Sequence, residues 1–215
     1  MNPRILALTL LCLALMVAPA AAQCGPGGAP DCRFPYTYDN GPPNGSVDAW
    51  TINLGYVVSD TFTLPDKYND ITSFDFWVWA YPGDTALTVD WSITSQEFGG
   101  TTFGSGTASL SSTFVSSNQY GYDIDKLSAS GLDLELGSGT YWLNLQNATT
   151  LFGDPLYWDE NSGRSSASES AVGTIASEAF DVNACGGFIP EPSSILLFGS
   201  GILGLAGVLR RKLLP

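Results

Sequence analysis

Closely spaced carboxylates are the side chains of this 215-residue chain that could carry acid–base chemistry. Asp123 and Asp125 are two residues apart, so an extended strand would present both on one side, and Asp159 directly precedes Glu160. Glycoside hydrolysis needs two such groups. Because the chain holds 21 acidic residues, close pairs also arise by chance. We therefore favour a solvated acidic surface over a carboxylate-dependent glycoside hydrolase, and we expect no catalytic residues.

The same acidic side chains could bind a hard cation, because Ca²⁺ takes carboxylate and carbonyl oxygens that irregular loops supply. The candidates are Asp39, which precedes Asn40, and the pair Asp123 and Asp125. None of them has the spacing of an EF-hand loop. The sequence therefore predicts no metal and no cofactor, with a structural calcium ion as the alternative.

Six tryptophans and nine tyrosines could contribute to sugar binding. Trp142, Asn144 and Gln146 alternate along one predicted strand and would share a sheet face, where a ring can stack on a pyranose and the amides can bind its hydroxyls. Trp77 and Trp79 could widen this carbohydrate-binding platform. Large aromatic side chains also pack in cores or at their rims, and we favour that packing role over ligand stacking.

Several function classes are excluded by residues that the chain lacks. Without histidine there is no Ser-His-Asp triad, no Cys-His dyad and no imidazole-ligated zinc or copper site. No Gly-rich loop followed by Lys is present to cradle a phosphate. Residues 23–189 hold 20 acidic residues against 4 basic ones, a formal net charge of −16. This charge repels nucleic acid, which we do not expect as a partner.

The sequence segments that carry these residues have the alternating pattern of β-strands. Apolar and polar residues alternate over 87–94 and over 141–146, whereas 71–80 is apolar on both sides. Gly-rich turn signals separate such runs, and the Ser-rich segment 161–170 is predicted to be a mobile loop. About eight strands at this spacing predict an all-β fold, an antiparallel β-sandwich of the jelly-roll type. The other predicted strands are Gly55–Leu64, Thr101–Leu110, Phe114–Ile124, Leu132–Leu136 and Leu156–Trp158.

The N-terminal residues 1–22 have the anatomy of a secretory signal peptide. Arg4 is followed by an apolar stretch and by small residues that suit cleavage before Gln23. Export places the remaining cysteines, Cys24, Cys32 and Cys185, in an oxidising compartment. Cys24 and Cys32 could close a small ring, or one of them could meet Cys185 because the termini of domains often lie close together. We favour the pair Cys32 and Cys185.

The C-terminal residues 190–215 have the pattern of a membrane anchor. A Pro-Glu-Pro entrance precedes an apolar run over 193–209, and a basic cluster follows at 210–212. As a helix, the run would extend about 26 Å, enough to cross a thin hydrocarbon core, with the basic end on the cytoplasmic side. We therefore predict a C-terminal transmembrane helix. Between the two terminal segments we expect an N-terminal loop segment at 23–49, a β-sandwich domain at 50–183 and a linker at 184–189.

This tail resembles the PEP-CTERM sorting signal of Gram-negative bacteria, which is also described as the ice-binding protein C-terminal domain. The resemblance covers about the last eighth of the chain and implies transient recognition by an exosortase, a membrane transpeptidase that removes the anchor near the Pro-Glu-Pro motif. Proteins with such tails are exported and associated with extracellular polysaccharide or biofilm. A plain anchor that is never processed is the alternative. The residues of the sorting motif are Pro190, Glu191, Pro192, Arg210, Arg211 and Lys212.

Together these features predict an exported, non-catalytic protein of the cell envelope or extracellular matrix. The C-terminal helix would hold it in the membrane until processing, after which it would reach the cell surface or matrix and associate with exopolysaccharide. A carbohydrate-binding module with an aromatic platform is the alternative. Ice binding would require a regular array of threonines, and Thr61-Phe62-Thr63 falls short of one.

Overall fold

The computed structural model describes residues 32, 34–66 and 68–186, and these residues form an all-β structure without a helix. The predicted signal peptide and the predicted transmembrane helix lie outside this part of the chain, in which no helix could span a membrane. The all-β prediction is confirmed. The strands are β1 (Phe34–Asp39), β2 (Ala49–Thr51), β3 (Val57–Leu64), β4 (Asp70–Ala80), β5 (Ala86–Gln96), β6 (Gly99–Ser117), β7 (Asp123–Glu135), β8 (Gly139–Thr150), β9 (Tyr157–Asp159), β10 (Ala167–Glu169), β11 (Gly173–Ile175) and β12 (Phe180–Gly186).

The strands form one curled antiparallel sheet in the order β1-β12-β4-β7-β6-β5-β8-β3-β10-β11, while short β9 pairs with β2 and β4. The long strand β6 joins two halves of the curl. Its first part pairs with β5, and its last residues, from Leu110 onward, pair with β7. We call these the β8 half (β5, β8, β3, β10 and β11) and the β4 half (β1, β12, β4 and β7). The antiparallel prediction is confirmed, whereas the jelly-roll sandwich stays a prediction.

Period-two alternation places one apolar core inside the curl. Phe74 and Phe76 of β4 and Leu143 and Leu145 of β8 are fully buried and belong to the same cluster, together with Trp158. Successive side chains of a strand point to opposite faces. The intervening residues of β4 and β8 therefore point away from the core, on two different outer faces.

The alternation predicted for 87–94 holds only in part. Val89 and Ile93 are buried, but Leu87 is 43% exposed. The ladder between β5 and β8 is irregular between Ala86 and Thr88 and again between Thr88 and Asp90. An extra residue on one strand of a ladder reverses the side to which later side chains point, and this explains the exposure of Leu87.

Strand boundaries around β6 and in the Ser-rich segment differ from the predictions. The predicted strands Thr101–Leu110 and Phe114–Ile124 are not two separate strands, because β6 runs without a turn from Gly99 to Ser117 and β7 starts at Asp123. The predicted strand Leu132–Leu136 falls largely at the end of β7. The mobile loop predicted at 161–170 is also wrong in part, since it contains β10, which pairs with β3 and β11.

Both ends of the described chain lie side by side in the sheet. β1 pairs with β12, and β12 pairs on its other side with β4. A disulfide joins Cys32 to Cys185 across 153 residues, with the Cα atoms 5.2 Å apart, which is the pairing that we favoured from the sequence. Two predicted segments differ from the structure. β1 and part of β2 lie within the predicted loop 23–49, and β12 continues to Gly186 in the predicted linker 184–189.

Candidate functional site

A groove of about 640 Å³ lies where the curl brings β1 close to β3. The two strands do not pair, but the Tyr38 hydroxyl of β1 donates a hydrogen bond to the Thr61 carbonyl oxygen of β3 (3.3 Å). The groove combines aromatic rings with hydroxyl groups and one side chain of each charge. Its walls consist of Tyr36, Thr37, Tyr38, Asp39, Thr61, Thr63, Pro65, Thr140, Arg164 and Ser165.

The tyrosines of this groove are held in place by neighbouring rings. The Tyr36 ring stacks on Tyr68 with centroids 4.8 Å apart, and the Tyr38 ring packs against Phe180 at 5.8 Å. Burial, and then the nearby Asp60 carboxylate, raise the pKa of Tyr38 to about 12, so its hydroxyl stays protonated at neutral pH. Arg164, which also lines the groove, is exposed. Fixed rings beside threonine hydroxyls and a guanidinium suit a ligand with many hydroxyl groups.

A buried polar network lies beneath the groove. Asp60 is fully buried on β3, and its Oδ2 accepts hydrogen bonds from Ser165 Oγ (2.9 Å), from the Glu178 backbone N–H (2.8 Å) and from Asn40 Nδ2 (3.3 Å). Burial raises the pKa of Asp60 to about 7, although the hydrogen bonds from Glu178 and Ser165 oppose the shift. Because Ser165 contacts both the groove and Asp60, the network fixes the wall that carries Arg164.

The loop that carries Arg164 is held in place by Asn161 and Gly163. Asn161 Nδ2 donates to the Asn40 carbonyl oxygen (2.8 Å), and Asn161 Oδ1 accepts from the Gly163 N–H (2.8 Å). A Cβ atom at Gly163 would collide with the Asn40 carbonyl oxygen and with Ser177 Oγ. Only glycine therefore fits at this position without displacing the network.

Glu178 is a fully buried carboxyl group next to this network. Neither of its carboxylate oxygens has a hydrogen-bond partner within the described part of the chain. Burial, followed by repulsion from Asp60, Glu160, Asp159 and Asp48, raises the pKa of Glu178 well above its ordinary value. Burial therefore favours the protonated, neutral form of this side chain.

The carboxylates that the sequence singled out each bond to neighbouring protein groups. Asp159 is fully buried and accepts hydrogen bonds from Trp79 Nε1 (2.5 Å) and from the Gly45 N–H (3.2 Å). Glu160 accepts one from Trp50 Nε1 at 3.1 Å. On β7, Asp123 accepts from Ser117 Oγ (2.8 Å) and Asp125 from Ser112 Oγ (3.0 Å).

No metal-binding arrangement is found among residues 32, 34–66 and 68–186, in which no group of three or more His, Cys, Asp or Glu side chains is placed to hold an ion. Asp39 accepts a hydrogen bond from the Gly41 N–H (2.7 Å) and lies on β1, whereas Asp123 and Asp125 lie on β7. Structural calcium stays a prediction.

The two parts of the predicted aromatic platform do not form one surface. Trp142, Asn144 and Gln146 point outward from β8, and Trp77 and Trp79 point outward from β4 on the other side of the core. The β4 tryptophans therefore lie apart from the β8 residues, and their binding role stays a prediction.

Both parts of that platform also include side chains that contact other residues of the protein. Asn144 is buried, donates to Thr94 Oγ1 (2.8 Å) and accepts from Ser59 Oγ (2.7 Å). Trp79 is 7% exposed, and the Lys126 ammonium lies 5.0 Å from the Trp77 ring centre. Trp142 and Gln146 are half-buried, and their binding role stays a prediction.

Sequence reasoning missed the groove residues, although two signals were present. Phe34, Tyr36 and Tyr38 alternate with smaller residues in the pattern of a strand. Val58, Asp60 and Phe62 follow one another at intervals of two residues, so they lie on the same face of β3. Because that face is the buried one, the spacing places a carboxylate on the core side.

Comparison with protein families identifies the chain's C-terminal segment. Residues 188–212 match the family model described as the PEP-CTERM protein-sorting motif. The match begins two residues after Gly186, the last residue of β12. No curated protein matches the chain in sequence.

Proposed function

We propose that this chain is an exported, non-catalytic protein of the cell envelope or extracellular matrix, which an exosortase system sorts and which associates with extracellular polysaccharide. The observation that carries the proposal is the PEP-CTERM motif at 188–212, next to a β body whose ends are joined by a disulfide. The body is a jelly-roll-like sandwich outside the cytoplasmic membrane. The segment 193–209 anchors it as a helix until the exosortase cleaves near the Pro-Glu-Pro motif.

The disulfide supports export independently of the motif. Disulfides persist in oxidising compartments and are rare in the cytosol. The bond between Cys32 and Cys185 joins the start of the described chain to β12, three residues along the sequence before the motif match.

The groove between β1 and β3 supports contact with polysaccharide. Its two tyrosine rings, its threonine hydroxyls and Arg164 provide stacking surfaces and donors for sugar hydroxyls. This placement favours a carbohydrate-binding module as the second candidate function. The sugar would then bind in the groove between β1 and β3 and not on the β8 platform. An enzymatic role has less support, because Asp159 is fully buried and bonded to Trp79.

Sorting is tested by intact mass spectrometry of the protein recovered from culture medium and from membrane fractions. We expect a chain that begins at Gln23 and ends near Pro190. Full-length protein confined to the inner membrane would contradict sorting while leaving the fold unaffected.

Polysaccharide contact is tested by pull-down with exopolysaccharide purified from the producing cells. Arg164→Ala should weaken binding at least about fivefold, because it removes the donor on the exposed wall of the groove. Lys126→Ala, which removes a cation on the outer face of the β4 half, is the matched control and should bind normally. Loss of binding in Trp142→Ala but not in Arg164→Ala would favour the β8 face instead.

A further inference from the structure

The strand β6 differs in composition from the rest of this acidic protein. Its 19 residues, Gly99–Ser117, include no Asp, Glu, Lys, Arg or Pro. The chain as a whole has a formal net charge of −13. β6 is therefore a long uncharged strand on a molecule that otherwise repels its own copies.

The last part of β6 has one unpaired edge. Residues from Leu110 to Ser117 pair with β7, and no other strand in the described chain pairs with them. Residues 111–117 are all exposed, with Phe114 at 60% and Val115 at 48%. Their outer edge therefore presents backbone N–H and C=O groups that another strand can bind.

Native proteins usually protect such an edge with lysine, proline, inward charges or a bulge. β6 has no charge and no proline, and of these protective features it shows one, the irregularity of its ladder with β7 between Phe114 and Ser116. Exposed aromatic and β-branched side chains increase the affinity of such an edge for a strand. An edge with this composition is suited to pairing.

The sequence of the edge matches its own reverse. Read from either end, 111–117 gives two serines, a β-branched residue, phenylalanine, a β-branched residue and two serines. An antiparallel pair of two identical copies, centred on Phe114, would place each residue opposite one of its own kind or size. We propose that a second copy of this chain pairs with residues 111–117, with Phe114 on the two-fold axis.

The charge distribution favours a second copy that approaches at this edge. Two bodies of net charge −16 repel each other over most of their surfaces. Pairing along β6 brings together strands without charges of their own, and the nearest carboxylates, Asp123 and Asp125 of β7, bond to Ser117 and Ser112. Seven residues of antiparallel pairing supply roughly six to eight backbone hydrogen bonds. The arrangement is isologous and closed, so it yields a dimer and not a fibre.

Disulfide trapping in the full chain tests the register directly. In a Cys24→Ser background, Phe114→Cys places one thiol on the axis, opposite its own copy. Oxidation should give a dimer on non-reducing gels. Val172→Cys is the matched control, because Val172 is 62% exposed and lies outside β6, and it should remain monomeric. Absence of a dimer at position 114, or equal trapping at both positions, would overturn the proposal.

A charge substitution tests the same edge without trapping. Phe114→Lys places two ammonium groups opposite each other, which should raise the dimer dissociation constant at least about fivefold, measured by sedimentation of the full chain in mild detergent. Val172→Lys should leave it unchanged. Circular dichroism checks that both variants fold. A dimer that is unaffected by Phe114→Lys would assign association to another segment and contradict the proposal.

Discussion

The backbone N–H of Glu178 donates a 2.8 Å hydrogen bond to the carboxylate of Asp60, which places two fully buried acidic residues next to each other at one end of the core. Asp60 has further donors in Ser165 and Asn40, whereas the Glu178 carboxyl group has none within the described chain. The network can therefore accommodate one negative charge at Asp60 more easily than a second one at Glu178.

The first prediction concerns pH. Burial raises the pKa of Asp60 from 3.8 to about 7, so the folded state binds a proton more tightly than the unfolded state. Its contribution to stability is complete below pH 4 and is lost as the pH rises to about 7, on the order of 4 kcal/mol. Thermal melts should therefore give a higher Tm at pH 5 than at pH 8.

Asp60→Asn should reduce this dependence, because the amide stays neutral when the pH rises. Asp66→Asn, at an exposed position, removes the same formal charge and should keep the slope. A Tm that is equal or higher at pH 8 in the parent protein would contradict the interpretation.

The second prediction concerns Gly163. Alanine at this position would collide with the Asn40 carbonyl oxygen and Ser177 Oγ, and the resulting overpacking should cost about 1–3 kcal/mol of unfolding free energy. Gly99→Ala is the matched control, since no atom lies within 4 Å of the added Cβ. Denaturant titration measures both. An unchanged midpoint for Gly163→Ala would show that the loop at 161–165 is not fixed as described.

The third prediction concerns the disulfide. Cys32→Ser should lower the free energy of unfolding by roughly 2–5 kcal/mol, because the bond closes a long loop in the unfolded chain. Cys24→Ser should have no such effect. If Cys24→Ser were the more damaging change, the pairing would be different from the one described.

The fourth prediction concerns Trp79. Its indole N–H donates to the buried carboxylate of Asp159, and Trp79→Phe would remove that donor at a cost of about 1–3 kcal/mol. The half-buried neighbour Trp77 provides the control, with Trp77→Phe expected to change the midpoint little. Equal effects of the two substitutions would mean that ring packing, not the hydrogen bond, dominates.

The fold class could be predicted from the sequence where a strand has one buried face. Alternation over 141–146 predicted the buried face of β8, which contains Leu143 and Leu145. At β5 the same reasoning gave the wrong side for Leu87, because irregular pairing reverses the alternation without leaving a mark in the sequence.

The candidate site could be predicted less well, because it depends on contacts between distant strands. Tyr38 and Thr61 meet only when the sheet curls, and no local pattern specifies the curl. Composition also gave little help with β6, since serines, threonines and glycines are common both in the part that pairs with β5 and in the part that pairs with β7.

The position of β12 has a consequence for the synthesis of the protein. The last strand along the chain lies between β1 and β4, so the first strand cannot be bound to the sheet until the nascent polypeptide has been completed as far as Gly186. Shorter translation products would leave one side of β4 without its neighbour, and such truncated chains would be prone to aggregation. Completion of the fold and emergence of the sorting motif therefore occur within a few residues of each other.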